Sequence, residues 1–202
     1  MSNFTKEFLQ DAVQIIENLD IQETENLVHH IKNFKASKNG RIFFCGSGGG
    51  AGHASHAAAD FRKLLSIESY SITDNVSELT ARINDEGWDT SYSNYMKSSR
   101  FGEKDAVFIF SVGGGSTDPN VSTQLINAAK EAKNKGGLVF SILGKSGGVI
   151  KGLSDASIIV PTVNNSTITA HTEGMQAYLW HFLVSHPELN PNIPKWEGLE
   201  IS

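Results

Sequence analysis

The sequence predicts an α/β protein, a parallel and doubly wound sheet of five strands with an N-terminal helical extension. Three observations lead to this prediction. Apolar residues recur at helical spacing through residues 3–36, five short apolar runs rich in Ile, Val and Phe follow, and helical patterns separate those runs. Short apolar strands that alternate with helices are typical of parallel sheets, because helices cover both faces of such a sheet.

Each element follows from its own local pattern. Residues 3–36 are expected to be helical with a polar break at Asp20–Glu23. The predicted strands are 41–45, 70–73, 106–111, 138–143 and 156–160. Helices are expected at 76–83, 121–135 and 172–185, and the segment from Pro187 onward is expected to be irregular.

The dipeptide Asp118-Pro119 is predicted to begin the helix over 121–135. An aspartate side chain can cap the first helical turn, and proline fits the first helical position. The sequence shows no internal repeat and no domain boundary. We therefore expect residues 1–202 to form a single domain, with 1–36 as a helical extension.

The composition excludes several classes of protein. A formal net charge of -5 gives no basic footprint for nucleic acid, and no apolar run approaches the roughly 18–20 residues of a membrane span. The single cysteine, Cys45, cannot form an internal disulfide, and the N-terminus lacks the apolar core of a signal peptide. The sequence therefore predicts a cytoplasmic protein without nucleic-acid or membrane partners.

Glycine-rich turns follow several predicted strands, at residues 45–52 (CGSGGGAG), 111–118 (SVGGGSTD) and 144–148 (GKSGG). Ligands of parallel sheets gather at the carboxyl ends of the strands, where glycine lets backbone N–H groups approach an anion. Two such turns on one sheet predict an anion site. The candidate anion-binding residues in the first two turns are Ser47, Gly48, Gly49, Ser111, Gly113, Ser116 and Thr117.

A dinucleotide site is the alternative interpretation of the first turn. Gly46, Gly48 and Ala51 fit the loose dinucleotide fingerprint, and Asp74 follows the second predicted strand. A plain dinucleotide fold has no use for the second serine- and glycine-rich turn, so the sequence favours a different anion.

Histidines and carboxylates recur at helical spacing in two segments. His56 and Asp60 lie four residues apart, so a helix places them on one face, and His53 can join them. Glu173 and His181 lie eight residues apart, again on one face. If the two helices meet, two imidazoles and two carboxylates form a set that suits zinc or a similar divalent ion.

These patterns together resemble the SIS (sugar isomerase) domain family, and within it the phosphoheptose isomerases. Residues 45–50 correspond to the family's Cys-Gly-Asn-Gly-Gly-Ser turn, and 53–60 to its Asp-Ala-x-His-x-x-x-Glu helix. Residues 73–87 (TDNVSELTARINDEG) match the block Thr-Asp-x-Ser-x-Leu-Thr-Ala-x-x-Asn-Asp-x-Gly, the most specific match in the chain. Residues 111–116 correspond to the Ser-Thr-Ser-Gly-Asn-Ser phosphate loop, and 144–148 to a Gly-x-x-Gly-Gly turn.

The chain departs from the family's pattern at several functional positions. Asp60 replaces the family's glutamate, which is its presumed base and a zinc ligand, and Glu173 replaces a glutamine ligand. His53 stands at the position of the family's aspartate. The phosphate loop loses two hydroxyl groups, at Val112 and Gly113, and the first turn loses one at Gly50. The family's arginine is replaced by Leu64. Side chains able to bind a metal nevertheless remain at all four ligand positions.

The resemblance implies an aldose–ketose isomerase acting on a phosphorylated sugar, expected to be sedoheptulose 7-phosphate, through an enediol. It implies Asp60 as the base and His181 as the acid, with a divalent metal, zinc, held by His56, Asp60, Glu173 and His181. It places Asp74, Asn84 and Asp85 in the sugar region, although Asn84 and Asp85 also suit a turn or helix end.

Two rival functions remain open from the sequence. One is a non-catalytic SIS module that senses a sugar phosphate or organises an assembly. The shorter side chain of Asp60 and the loss of hydroxyl groups from the phosphate loop favour this alternative. The other is an enzyme acting on a differently modified sugar. The resemblance also implies a homo-oligomer, expected to be a tetramer with residues 3–36 at its centre and active sites built by more than one subunit.

Overall fold

The computed structural model of the chain describes residues 3–37, 39–192 and 198, and shows one parallel five-stranded sheet. Its strand order is β2-β1-β3-β6-β7, and every neighbouring pair is parallel. This confirms the predicted fold class. The strands are β1 (Ile42–Gly46), β2 (Ser69–Ser71), β3 (Ala106–Ser111), β6 (Leu138–Leu143) and β7 (Ala156–Ile159), and a separate hairpin holds β4 (Ser116–Thr117) and β5 (Asn120–Val121).

Eight helices surround the sheet in the described part of the chain. They are α1 (Phe4–Glu17), α2 (Ile21–Ala36), α3 (Gly49–Leu65), α4 (Val76–Glu86), α5 (Trp88–Ser98), α6 (Thr123–Asn134), α7 (Gly148–Leu153) and α8 (Ile168–Ser185). None of them is long and apolar enough to cross a bilayer. Most of the C-terminal segment that the sequence predicts to be irregular, residues 193–197 and 199–202, lies outside the described residues.

Alternate residues of the strands enter two separate cores. Ile42 and Phe44 of β1 pack in the core beneath α2, α3 and α8, whereas Phe43 and Cys45 pack in the core beneath α5, α6 and α7. All five residues of β1 are buried. This two-sided burial explains why the strands read as continuous apolar runs instead of an alternating pattern.

The two N-terminal helices differ in what covers them. The apolar face of α2 packs on the sheet through Leu27, Val28 and Ile31, all fully buried. Helix α1 buries Ile15 alone among its residues. The polar break between them lies at 18–20, where the Asp20 side chain caps α2 by accepting from the Glu23 N–H at 3.0 Å.

The prediction that Asp118-Pro119 begins a helix is wrong. The Ser116 hydroxyl accepts from the Asp118 N–H at 3.2 Å and donates to the Asp118 carbonyl at 3.0 Å, which closes a turn at this point. The chain then pairs back on itself as the β4–β5 hairpin, and α6 begins only at Thr123. A local side-chain bond to the backbone has prevailed over the capping preference of the dipeptide.

The sequence analysis did not predict α5 or α7. The buried face of α5 carries Ser91, Tyr92, Ser93 and Met96, so two of its four core positions are serines and the apolar period is masked. Helix α7 has six residues, too few to show a helical period.

An ion pair joins the beginnings of the two central strands. The Arg41 guanidinium binds both carboxylate oxygens of Asp105, with Nη2 2.8 Å from Oδ2 and Nε 3.1 Å from Oδ1, and also donates to the carbonyls of Ser99 and Arg100. Asp105 is buried and also accepts from the Arg41 and Gly102 N–H groups. Hydrogen bonding to Asp105 raises the pKa of Arg41.

Replacing Asp105 with alanine should lower the free energy of unfolding by about 3 kcal/mol, because one guanidinium and two backbone N–H groups lose their shared acceptor. Urea denaturation followed by circular dichroism measures the change. The exposed neighbour Lys104 is the control, since Lys104→Ala should stay within about 0.5 kcal/mol of the parent. A loss below about 1 kcal/mol for Asp105→Ala would show that the pair does not anchor the sheet.

Candidate active site

The first glycine-rich turn connects β1 to α3 at the carboxyl edge of the sheet. Gly48 takes a left-handed φ of 56° at the N-cap of α3, and Gly49 is the first residue of the helix. The N–H groups of Gly50 and Ala51 donate to the Ser47 and Gly48 carbonyls, so in the described structure the N–H groups of Gly48 and Gly49 are the ones left open at the edge where ligands of parallel sheets bind. Ser47, Gly48 and Gly49 all lie in this turn, as the sequence predicts.

Two buried side chains that the sequence analysis missed hold this turn. The Tyr92 hydroxyl of α5 donates to the Gly46 carbonyl at 2.9 Å, and burial raises its pKa. The Gln124 amide of α6 donates to the Ser47 hydroxyl at 2.5 Å. Both residues lie in helices far along the chain, and nothing in their local sequence indicates a contact with residues 46–47.

The second glycine-rich turn is shaped by its own hydroxyls. Ser111, which is buried, accepts from the Gly114 N–H at 3.1 Å, and the Ser116 hydroxyl is bonded to Asp118. Gly113 has open space on its side-chain side, and Thr117 is exposed in β4. Both serine hydroxyls therefore already have protein partners, and the backbone around Gly113 is the open part of the turn.

The third turn packs against the second, backbone to backbone. The Ile150 N–H donates to the Gly114 carbonyl at 2.9 Å, and the Val149 N–H donates to the Gly115 carbonyl at 3.2 Å. A side chain at Gly114 would collide with the Gly147 carbonyl. Glycine is therefore required at Gly114 and at Gly148, where the two loops approach each other closely.

The predicted sugar-region residues lie apart from these turns. Asp74 lines a cleft of about 590 Å³ at the β2 edge, together with Arg62 and Lys63 of α3. Asn84 and Asp85 are exposed near the end of α4, where the Asn84 amide donates to the Asp85 carboxylate at 2.7 Å. Among the described residues, no hydrogen bond or ion pair joins these three to the glycine turns.

Helices α3 and α8 bring three of the four predicted metal ligands together. His56, Asp60 and His181 each offer a ligand atom, and these atoms all lie within 4.8 Å of one another. His56 Nε2 is 3.7 Å from Asp60 Oδ2. Two ligand atoms of a tetrahedral zinc ion stand about 3.3 Å apart, given bonds of about 2.0 Å. The three ligand atoms therefore need to move only about 1–2 Å closer to one another to bind a cation.

The imidazoles of the trio are oriented by their neighbours. His181 Nδ1 lies 2.7 Å from the Ala177 carbonyl, which can only accept, so Nδ1 donates and Nε2 is left with the lone pair. The buried Trp180 meets the His56 ring edge-on, with centroids 4.6 Å apart. His56 remains 61% exposed and Asp60 only 20%, so the trio faces solvent on the imidazole side of this protomer.

Glu173 is not part of this trio. Its carboxylate lies over the start of α3, where the space that a Gly49 side chain would need is filled by the Glu173 oxygens. Helix α8 is fixed here by Gln176, which donates to the Ile142 carbonyl at the end of β6 at 3.0 Å. Since Glu173 lies beside Gly49 and His181 beside His56, the two helices run side by side in the same direction.

Comparison with known proteins places this arrangement in a family. The model of the SIS domain matches residues 7–144. A phosphoheptose isomerase of Helicobacter pylori (strain P12) is 30% identical over 183 residues, which cover 88% of this chain and 87% of that protein. The lincomycin biosynthesis protein LmbN of Streptomyces lincolnensis is 34% identical over 155 residues, 73% of this chain but only 56% of LmbN.

A solved structure supports the same assignment at the level of the fold. Phosphoheptose isomerase GmhA from Neisseria gonorrhoeae superimposes with a TM-score of 0.77 at 24% identity, covering 90% of this chain and 94% of that one. The two chains thus share one fold over most of their length. The chain is a member of the SIS domain family, and several of the relatives that it matches are phosphoheptose isomerases.

Proposed function

We propose that the protein is a cytoplasmic phosphosugar isomerase that converts sedoheptulose 7-phosphate to D-glycero-D-manno-heptose 7-phosphate through an enediol. The relatives named phosphoheptose isomerase support the substrate class. The observation on which the proposal depends is the meeting of His56, Asp60 and His181 between two helices, one of which begins at a glycine-rich turn.

The spacing along α3 suits a phosphorylated heptose. His56 follows Gly49 by seven residues, which is about 10 Å at about 1.5 Å per helical residue. An extended seven-carbon sugar with its phosphate spans a comparable distance. A phosphate at the N-terminus of α3 therefore brings the far end of the sugar to the trio.

Asp60 is the proposed base of the reaction. Its carboxylate takes the proton from C1 of the ketose, and the electrons of that C–H bond form the C1–C2 double bond while the O1 proton is transferred to the C2 carbonyl oxygen. The same carboxylic acid then returns its proton to C2 as the electrons left on O1 form the aldehyde C=O bond. The side chain of Asp60 is one methylene shorter than the family's glutamate, so the substrate must lie closer to α3.

His181 is the proposed carrier of the proton between the two oxygens. Because Nδ1 is engaged by Ala177, only Nε2 can accept the proton from O1 and deliver it to O2. That lone pair is the same one that would bind a metal. The ligand role and the proton-transfer role of His181 therefore exclude each other at any one moment.

The donor set fits zinc or a similar divalent ion. His56, Asp60 and His181 would hold it, and Glu173, whose carboxylate lies at Gly49 about two helical turns before His56, is the candidate for a fourth ligand. When bound, such an ion supplies a positive charge that polarises the carbonyl and orients the substrate hydroxyls.

We also propose that the protein forms a homotetramer with α1 at its centre. Leu9, Val13 and Ile16 form an apolar stripe on α1 and are 60%, 53% and 47% exposed. Such a stripe favours burial against another copy. The open imidazole side of the trio also suits completion of the site by a second subunit.

Asp60→Asn should abolish exchange of the substrate carbon-bound proton while leaving phosphosugar binding within about threefold, because the amide fills the space but cannot accept a proton. The measurement is deuterium uptake from solvent into sedoheptulose 7-phosphate, read by NMR. Asp60→Glu is the matched control and should retain exchange. Full exchange in Asp60→Asn would remove Asp60 as the base, and wild-type protein that binds the sugar phosphate without exchange would favour a non-catalytic module.

The double substitution Ser111→Ala and Ser116→Ala should raise KM for the phosphosugar about tenfold or more, because both hydroxyls shape the open turn around Gly113. The effect on kcat should be smaller, since neither hydroxyl is proposed to touch the reacting carbons. Steady-state kinetics, with a thermal melt to confirm folding, checks this. Unchanged KM would place the phosphate elsewhere.

Leu9→Asp combined with Val13→Asp should dissociate the tetramer, because two charges in the proposed interface lose their hydration without gaining partners. Light scattering of the purified protein reads the mass. Val76 of α4 is about as exposed as Leu9 and Val13, so Val76→Asp is the control and should leave the mass unchanged. A double variant with the parent's mass would show that α1 is not the centre.

A further inference from the structure

His53 lies on α3 between the glycine turn and the trio, one helical turn after Gly49. Its ring meets Phe110 edge-on with centroids 6.0 Å apart, and Phe110 directly precedes Ser111. The Nε2 atom is buried and has no hydrogen-bond partner. A buried polar atom without a partner costs about 1–3 kcal/mol, so this nitrogen needs one.

The charged groups that act on His53 are Glu173, His181 and His56. Burial lowers the pKa of His53, the negative charge and the backbone of Glu173 oppose that shift, and the two histidines add to it. A neutral imidazole can donate from one nitrogen only. Of the three groups, Glu173 alone has carboxylate oxygens to accept from it.

Glu173, on α8, lies against the face of α3 that carries His53. The Glu173 oxygens fill the place where a side chain on Gly49 would stand, and residues four apart on a helix share a face. The Glu173 carboxylate and the His53 ring therefore lie on the same face of α3, one helical turn apart.

We propose that His53 is a positioning residue for Glu173: its Nε2–H donates to one carboxylate oxygen and directs the other toward the cation held by His56, Asp60 and His181. This inference rests on the cation site of the proposed function. A carboxylate fixed by a neighbouring donor binds a metal with less loss of rotational freedom, as partners of metal ligands do in general.

The sequence offers an independent argument for the pair. His53 and Glu173 stand where the SIS pattern has aspartate and glutamine, so both positions depart from it together. An aspartate can only accept and a glutamine amide can donate, whereas in this chain the donor is on α3 and the acceptor on α8. Donor and acceptor therefore exchange helices relative to that pattern, and the candidate fourth ligand becomes a carboxylate.

The test is zinc affinity, measured by competition with a chromophoric chelator and without any substrate. His53→Ala should weaken zinc binding about tenfold or more in the otherwise unchanged protein, the order seen when a partner of a ligand is lost. In a Glu173→Ala background the same change should cost less than about threefold, because the residue it positions is gone. The double swap His53→Asp with Glu173→Gln should restore most of the affinity.

Controls separate positioning from a loss of folding. His29, an exposed histidine of α2, is the matched control, and His29→Ala should leave zinc affinity unchanged. In the cobalt-substituted protein, His53→Ala and Glu173→Ala should alter the visible absorption in the same way, which a general loss of stability would not do. His53→Asn, which keeps a donor, should lose less affinity than His53→Ala.

Three outcomes would overturn the inference: no loss of affinity in His53→Ala, an equal loss with and without Glu173, or a wild-type protein that binds no zinc. They are distinct from failure of the proposed function. A protein with His53-dependent zinc binding but no isomerisation would contradict the enzyme and leave the pair intact. A protein that isomerises the sugar without binding zinc would contradict the pair alone.

Discussion

The close approach of α3 to the carboxyl end of β1 is the constraint on which the candidate site depends. A side chain at Gly46 would collide with the backbone of Gly50, and one at Gly49 would collide with the Glu173 carboxylate. With glycine at these positions, the helix begins directly against the sheet and against α8. Tyr92 and Gln124 then hold the turn from the other face of the sheet, so both cores contribute to its geometry.

Because of this placement, α3 sets the distance between the glycine turn and the trio of His56, Asp60 and His181. Its N-terminus offers N–H groups to an anion, and its side chains at successive turns face α8. Glu173 of α8 meets the first turn of α3, and His181 meets the second and third. The glycine turn and the trio thus lie about two helical turns apart along the pair of helices, with the Glu173 carboxylate at the end of the glycine turn. In the proposed function, the phosphorylated sugar spans this distance.

The sequence by itself determined the fold class and the edge of the sheet at which the candidate site lies. Continuous apolar strands such as 106–111 and 138–143 require cover on both faces, and in a parallel sheet the glycine turns must gather at one edge. Helical spacing likewise put His56 and Asp60 on one face. The hairpin at 116–121 and helix α5 were outside its reach, because a serine–backbone bond and buried serines obscure the local patterns there.

Only the tertiary structure decided which side chains meet. It brought His181 to His56 and Asp60, but set Glu173 against Gly49 beside His53, and it left Asp74 in a separate cleft. The assignment of Tyr92 and Gln124 to the first turn also required it. The physical reason is that helical spacing fixes which residues share a face, whereas the contacts between two helices depend on how far each is advanced along the other. That offset is set by packing against the sheet, through contacts such as Gln176 with the Ile142 carbonyl, which no local pattern encodes.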